Sequence, residues 1–216
     1  MTNERLMFPR WLRFWHWSNA IVFLALVVTG FSLHFVGVGT GGVAFRRAVV
    51  LHNAFGVAII ALYVFYLVAQ IITGHWRQYV PRVQGVLLQV RYYLWGIFRG
   101  EHHPFESTYE SRFNPIQRLA YLFAVYVLFP AQAITGVMLL YPDHAPGKVA
   151  GMGGIWPMAV GHSVVAYAFT SFLCVHLYLA LTISEERTGL MPMIRGDRPV
   201  APKAEETEPK PVSETA

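Results

Sequence analysis

The sequence predicts an all-α integral membrane protein, a bundle of four transmembrane helices with an additional amphipathic helix on the cytoplasmic surface. Hydrophobic residues make up 55% of the 216 positions and charged residues only 13%, about half the charged fraction of a soluble domain. No Asp or Glu occurs between Glu4 and Glu101. Four apolar segments of about 20 residues are each long enough to cross a bilayer.

The predicted spans form one membrane domain over residues 1–190. They cover Phe14–Phe35, Val49–Thr73, Arg118–Tyr141 and Met158–Ile183. No small-residue cleavage site follows the first span, so we expect it to be retained rather than removed as a signal peptide. Residues 191–216 are polar and rich in Pro and Glu, which predicts a disordered cytoplasmic tail.

The connection between the second and third spans contains a further apolar stretch, Val83–Phe98. Gln84, Gln89 and Arg91 interrupt this stretch, which is rich in aromatic residues and flanked by arginines. We therefore predict a helix that lies in the membrane interface instead of crossing it.

Basic residues predict the orientation of the chain. They cluster before the first span, between the second and third spans and after the fourth, whereas the other two loops hold only Arg46, Arg47 and Lys148. By the positive-inside rule, both termini and the long connection are cytoplasmic. The net charge of +5 follows from these flanking residues, which form no basic stripe, so we expect no nucleic-acid partner.

Four histidines occupy matching depths in the predicted spans. His162 and His176 are fourteen positions apart on one apolar segment, which places them on one helix face roughly 21 Å apart along the axis. With the predicted orientation, His52 shares the outer level with His162, and His16 shares the inner level with His176. Paired imidazoles are suitable axial ligands for haem iron, so the depths predict two stacked haems.

The chain contains one cysteine, Cys174, and no C-x-x-C-H sequence. Any haem is therefore held without thioether bonds, as haem b is. A haem-free membrane anchor or transporter is the alternative from another class, but ion transport favours carboxylates inside the spans and none is present.

Other residues leave alternatives open. His34 and His75 fall at the interfacial ends of the first and second spans, where a histidine side chain is usually solvated. The alternative for His75 is a place in a proton path to a quinone. Four arginines either pair with haem propionates or serve only to set the topology and contact lipid headgroups. Four glycines in the spans give room either for a macrocycle or for close helix packing. These residues are Arg13, Arg46, Arg47, Arg118, Gly30, Gly56, Gly136 and Gly161.

Three short motifs resemble a known family. Arg13-Phe14-Trp15-His16-Trp17 resembles the R-x-x-H-W opening of prokaryotic four-helix di-haem cytochromes b, the membrane subunits of formate dehydrogenase, thiosulfate reductase and nickel–iron hydrogenase. The segment 51–56, LHNAFG, is similar to their second-helix H-x-x-x-G. The segment 113–121, FNPIQRLAY, is most similar to the thiosulfate reductase branch. The likeness covers about residues 5–186.

The resemblance implies a subunit of the bacterial inner membrane that transfers electrons between the quinone pool and a periplasmic redox partner. His52 and His162 hold the outer haem, and His16 and His176 hold the inner one. A quinone binds beside the inner haem. The position of Asn114 matches the quinone-contacting residue of the family, with Ile116 and Gln117 adjacent, and the alternative for Asn114 is a plain helix cap.

The resemblance also implies where substrate chemistry takes place. The predicted outer loop, Pro142–Pro157, has few charges and is expected to dock the periplasmic partner, an iron–sulfur, molybdopterin, hydrogenase or cytochrome c subunit that holds the substrate site. The alternative function is a stand-alone quinone-coupled cytochrome b, similar to the superoxide-oxidising kind, which needs no partner subunit.

Overall fold

A computed structural model describes residues 8–35, 42–105, 111–182 and 190–196 of the chain. Four of its helices are long and apolar enough to cross a membrane, which confirms the all-α membrane fold. They are Arg10–Phe35, Ala44–Thr73, Pro115–Leu140 and Trp156–Leu181. These helices begin two to five residues before the predicted spans. In the first, second and fourth helices the added residues include interfacial Arg or Trp, which continue a helix that hydropathy alone ends at the hydrocarbon boundary. In the third, the Asn114 cap sets the start at Pro115.

The described residues contain seven α-helices. In chain order they are α1 (Arg10–Phe35), α2 (Gly42–Thr73), α3 (Val86–Leu94), α4 (Pro115–Phe123), α5 (Phe129–Leu140), α6 (Trp156–Thr182) and α7 (Leu190–Arg195). Two short antiparallel strands, β1 (Lys148–Val149) and β2 (Met152–Gly153), form a hairpin between α5 and α6. We call the end of the bundle with this hairpin the hairpin end, and the opposite end, with the 74–114 connection, the long-loop end.

The third membrane span is interrupted by a π-helical turn, Ala124–Leu128, that joins α4 to α5. Pro130 explains the turn, because proline has no N–H group to continue the backbone pattern and its ring displaces the preceding carbonyls. The hydroxyl of Tyr63 on α2 donates a 2.9 Å hydrogen bond to the carbonyl of Val125. Tyr63 also stacks on Phe129 at 4.0 Å between ring centres, so α2 stabilises the irregular turn.

Helix α3 lies within the predicted interfacial stretch Val83–Phe98 but is shorter, Val86–Leu94, and its place in the membrane interface stays a prediction. Gln89 is fully buried, and its Nε2 lies 3.1 Å from Nε2 of His103. Leu87 and Phe98 are 85% and 76% exposed, as expected for side chains that enter the lipid interface. Gln89, which interrupts the apolar pattern in the sequence, therefore joins α3 to the later part of the same connection.

The short helix α7 contacts the start of α1. The Arg13 guanidinium donates to the carbonyl of Ile194 at 2.7 Å, and the Trp17 indole donates to that of Met193 at 3.1 Å. Residues 191–196, which the sequence assigns to a disordered tail, thus include helix at the long-loop end of the bundle. The rest of that predicted tail lies outside the described residues.

Candidate functional site

Two pairs of histidines face each other across the bundle. His52 on α2 and His162 on α6 have ring centres 6.3 Å apart, with the ring planes at 78°. His16 on α1 and His176 on α6 have the same separation of 6.3 Å, with the planes at 58°. The structure therefore brings together the four histidines that the sequence singled out, in the pairs that it predicted, one pair toward each end of the bundle.

The separation within each pair fits an iron porphyrin. Two metal–imidazole bonds of about 2 Å, added to the distance from each bonded nitrogen to its ring centre, span about 6 Å. Within the described residues, no three His, Cys, Asp or Glu side chains meet as a metal cluster. Paired imidazoles at this spacing match a metal that takes its other ligands from a macrocycle.

Two threonine hydroxyls orient the pair near the hairpin end. Thr29 Oγ1 lies 2.9 Å from Nδ1 of His52, and Thr135 Oγ1 lies 3.1 Å from Nδ1 of His162. Each hydroxyl also lies 2.7 Å from the backbone carbonyl four residues earlier. Because the single hydroxyl proton is donated to that carbonyl, the oxygen accepts from the imidazole Nδ1–H, which leaves Nε2 unprotonated, the form that binds a metal.

Glycines lie directly against the same two imidazoles. A Cβ added at Gly30 would be 3.3 Å from Cε1 of His52, and one at Gly136 would be 3.1 Å from Cε1 of His162. At Gly56, one turn beyond His52, a Cβ would meet nothing within 4 Å. An alanine at Gly30 or Gly136 would therefore require the adjacent imidazole to shift by a few tenths of an ångström, whereas Gly56 borders open space.

The arrangement around these histidines repeats in the two halves of the bundle. Segment 25–30 of α1 reads ALVVTG and segment 131–136 of α5 reads AQAITG, and in each the Thr-Gly pair contacts the histidine of the following long helix. Gly30 and Gly136 were singled out from the sequence, whereas Thr29 and Thr135 were not predicted. The recurrent Ala-x-x-x-Thr-Gly pattern is the signal that could have found them.

The two halves differ at one contact. Gln132, which stands where α1 has Leu26, places its amide Nε2 3.1 Å from Nε2 of His162. Its Oε1 is buried and makes no hydrogen bond. For His162 to hold a haem iron through Nε2, this amide would have to move away from that nitrogen.

The pair near the long-loop end has different surroundings. Nδ1 of His16 is buried and makes no hydrogen bond within the described part of the chain. The ring of Phe172 lies parallel to His176, with 6.1 Å between ring centres and 8° between planes. His176 thus contacts an aromatic ring, where each histidine of the other pair contacts a threonine hydroxyl.

The predicted quinone residues lie at the start of α4. Oδ1 of Asn114 accepts from the Gln117 backbone N–H at 2.8 Å, and the Gln117 side chain accepts from the Asn114 N–H at 3.1 Å. This is a capping box, and Pro115 occupies the first helical position. Ile116 follows in the first turn. The amide Nδ2 of Asn114 donates to the Tyr93 hydroxyl at 2.8 Å, which uses one of its two N–H groups.

A cavity of about 170 Å³ adjoins Asn114 and is also lined by Phe113 and Arg118. A chain of aromatic contacts connects this place to the nearer histidine pair. Ring centres are 4.9 Å apart between Phe113 and Tyr121, 6.1 Å between Tyr121 and Phe172, and 6.1 Å between Phe172 and His176. The quinone contact itself stays a prediction.

The remaining predicted residues occupy the periphery. His34 packs edge-on against Tyr167. Nδ1 of His75 lies 2.8 Å from the Thr73 hydroxyl, and its ring meets Trp11 edge-on. Burial, and then the positive charge of Arg112, lower the pKa of His75. Arg118 donates to the Phe113 carbonyl at 3.0 Å and to the Ser111 hydroxyl at 2.8 Å.

The helical bundle and its paired imidazoles define a membrane cytochrome of the b type. The family described as prokaryotic cytochrome b561 matches residues 7–196, and the chain belongs to this family. It is also similar to the "Putative cytochrome YdhU" of Escherichia coli (strain K12), with 35% identity over 180 residues that cover 82% of this chain and 67% of the relative. Haem b binding and a role in electron transfer follow from the family.

Proposed function

We propose that the chain binds two haems b and conducts electrons between the membrane quinone pool and a redox protein on the periplasmic face. In this proposal both termini are cytoplasmic. The hairpin end then faces the periplasm, and the long-loop end faces the cytoplasm. The chain acts as the membrane subunit of a larger oxidoreductase whose substrate site is on a partner subunit.

The number of haems is supported by one observation, the equal 6.3 Å separation of the two histidine pairs. Either separation alone could result from ordinary helix packing, but two equal gaps at two levels of one bundle match two bis-imidazole sites. When bound, the haems supply one-electron redox chemistry. His162 and His176 share α6, so one rigid helix fixes the spacing between the two sites.

The protein's own residues position the ligands and exclude water. Thr29 and Thr135 hold the imidazoles of His52 and His162 in the tautomer with Nε2 unprotonated, as the hydrogen bonds require. Phe172 holds the ring of His176. Apolar helix faces around these residues keep the sites in a low-dielectric region, where changes in charge are least screened.

The quinone site is proposed at the 170 Å³ cavity beside Asn114. Asn114 retains one amide N–H after its bond to Tyr93, and an amide N–H can donate to a quinone carbonyl. The aromatic chain from Phe113 to His176 supports placing this cavity beside the inner pair. Because the cavity opens at the cytoplasmic end in the proposed orientation, protons of the quinone reaction exchange with the cytoplasm.

Haem content of histidine variants tests the proposal. The full-length protein, purified in mild detergent, should show a Soret band and about two haems b per chain by the pyridine haemochromogen assay. His52→Ala and His162→Ala should each remove one haem, and His16→Ala and His176→Ala should each remove the other. The haem that remains in the His52 and His162 variants should have a different α-band position from the haem that remains in the His16 and His176 variants.

His144→Ala is the matched control, because His144 lies in the connection after α5 and packs only against Tyr141 among the described ring contacts. It should retain both haems. A colourless, correctly inserted protein that does not take up added hemin would refute the proposal. Equal loss of both haems in His52→Ala, with the helical content intact, would refute the pairing.

A further inference from the structure

We propose that the hydroxyls of Thr29 and Thr135 lower the redox potential of the haem held by His52 and His162, and that the other haem lacks this control. The inference rests on the proposed two-haem function and adds positioning residues to it. It follows from the hydrogen bonds at the two imidazoles and from their absence at His16.

The direction of each hydrogen bond follows from the threonine's other partner. Thr29 Oγ1 lies 2.7 Å from the Ala25 carbonyl and 2.9 Å from Nδ1 of His52. A hydroxyl has one proton, and a carbonyl can only accept, so the proton is donated to Ala25. The Thr29 oxygen must then accept from Nδ1–H, which fixes the imidazole tautomer with Nε2 unprotonated.

The second imidazole of the same pair is held in the same way. Thr135 Oγ1 lies 2.7 Å from the Ala131 carbonyl and 3.1 Å from Nδ1 of His162. The carbonyls of Leu26 and Gln132 also approach the His52 and His162 rings. Both axial ligands of one site therefore donate Nδ1–H to a threonine oxygen with a backbone carbonyl beside it.

A hydrogen bond from Nδ1–H increases the electron density at Nε2. A more electron-rich imidazole is a stronger donor to iron and stabilises the ferric state more than the ferrous state, so the midpoint potential falls. Nδ1 of His16 is buried and makes no hydrogen bond to any described residue, so this ligand has no such effect on the other site. The two sites thus differ in the ligand environment although their ring separations are equal.

Isosteric substitution tests the proposal in the full-length haem-loaded protein. Thr29→Val and Thr135→Val keep the branched side chain and remove the hydroxyl. Optical redox titration should show that each variant raises the midpoint potential of one haem only, the one that His52→Ala removes. A tenfold change in the ferric–ferrous equilibrium corresponds to about 59 mV for one electron, and we expect a shift of this order for each hydroxyl. The ferric EPR signal of that haem should change as well.

Serine variants and a third threonine are the controls. Thr29→Ser and Thr135→Ser retain a hydroxyl and should restore the original potential. Thr170→Val removes a hydroxyl that donates to the Ala166 carbonyl at 2.9 Å on α6, and both potentials should stay unchanged. If a valine variant loses its haem, the serine variant should retain it.

Three results overturn the inference while leaving the proposed function intact: two haems with unchanged potentials in the valine variants, equal shifts of both haems, or serine variants that behave like valine. Unchanged potentials would mean that the Leu26 and Gln132 carbonyls are the effective acceptors. A wild-type protein that binds no haem would instead refute the proposed function itself.

Discussion

The hydroxyl of Tyr63 donates a 2.9 Å hydrogen bond to the carbonyl of Val125, within the π-helical turn of the third span. Pro130 has no N–H group, so this turn cannot satisfy its carbonyls by a regular helical pattern. A side chain from the neighbouring helix does so instead, which is a recurrent solution for broken helices in membranes.

Tyr63→Phe should destabilise the protein by about 1 kcal/mol, because a carbonyl in the membrane loses its partner while the ring stacking on Phe129 remains. Chemical unfolding in detergent, followed by circular dichroism, measures the change. Tyr167→Phe is the control, since that hydroxyl makes no hydrogen bond among the described residues and its side chain is 44% exposed. Equal stability of the two variants would show that the Tyr63 hydroxyl contributes nothing.

Glycine substitutions should weaken haem binding in a graded order. A Cβ at Gly136 comes 3.1 Å from His162, and one at Gly30 comes 3.3 Å from His52. Gly136→Ala should therefore displace the His162 imidazole more than Gly30→Ala displaces that of His52. Gly136→Ala should reduce retention of the outer haem by about tenfold, which is the low end of the range for changes to residues that support a metal ligand. The haem-to-protein ratio after dilution with apomyoglobin measures this retention.

Gly161→Ala is the matched control for both variants. Its added Cβ would lie 3.8 Å from Cγ2 of Thr135, an ordinary contact that displaces nothing. It should keep both haems, as should the unmodified protein. If Gly136→Ala also retains both haems with an unaltered spectrum, the close contact at His162 does not constrain the site.

Hydropathy and histidine spacing were sufficient to predict the four spans and both histidine pairs. Because an α-helix has 3.6 residues per turn, histidines at positions i and i+14 lie on the same face. The alternating direction of successive spans then gives the depth of each histidine in the membrane. Neither step requires knowledge of side-chain contacts, which explains why this part of the site was accessible from the sequence.

The supporting residues could not be predicted in the same way. A threonine in a membrane helix ordinarily satisfies its hydroxyl on its own backbone, and Thr29 and Thr135 do this as well as contacting the histidines. Only the packing of α1 on α2 and of α5 on α6 brings their oxygens to Nδ1. The π turn at Ala124–Leu128 was likewise hidden, because Pro130 indicates a kink without indicating its form.

Replacement of Arg112 should raise the pKa of His75. Burial and then the Arg112 guanidinium lower this pKa from its ordinary value of 6.5. Arg112→Gln should therefore move the pKa upward, and Arg112→Lys should leave it low. The pH dependence of His75 carbethoxylation, followed by mass spectrometry, measures the pKa directly.

The same shift has a consequence for stability. The unfolded chain protonates this histidine at a higher pH than the folded chain does, so the folded state binds fewer protons. The contribution of His75 to stability is complete at pH values above 6.5, its ordinary pKa. It is lost as the pH falls below 6.5 toward the lowered pKa of the folded state. Arg112→Gln should reduce this acid sensitivity, and an unaltered pH dependence of unfolding would contradict the assignment.

Asn114 has two separable roles, and substitution can divide them. Its Oδ1 caps α4 through the Gln117 N–H, and its amide donates to Tyr93 with one N–H to spare. Asn114→Ala removes both the cap and the donor and should cost about 1 kcal/mol of stability. Asn114→Ser and Asn114→Asp preserve a capping oxygen but have no amide donor for a quinone carbonyl.

Both capping variants should keep the haem content and unfolding midpoint close to those of the wild type, because the start of α4 stays capped. Each should reduce haem reduction by a soluble quinol about tenfold, since a hydrogen bond worth about 1.4 kcal/mol is lost. Stopped-flow absorbance with a benzoquinol and with a naphthoquinol measures the rate for both quinone classes. Unchanged rates with both would place the quinone away from Asn114, and the helix cap would then be its whole function.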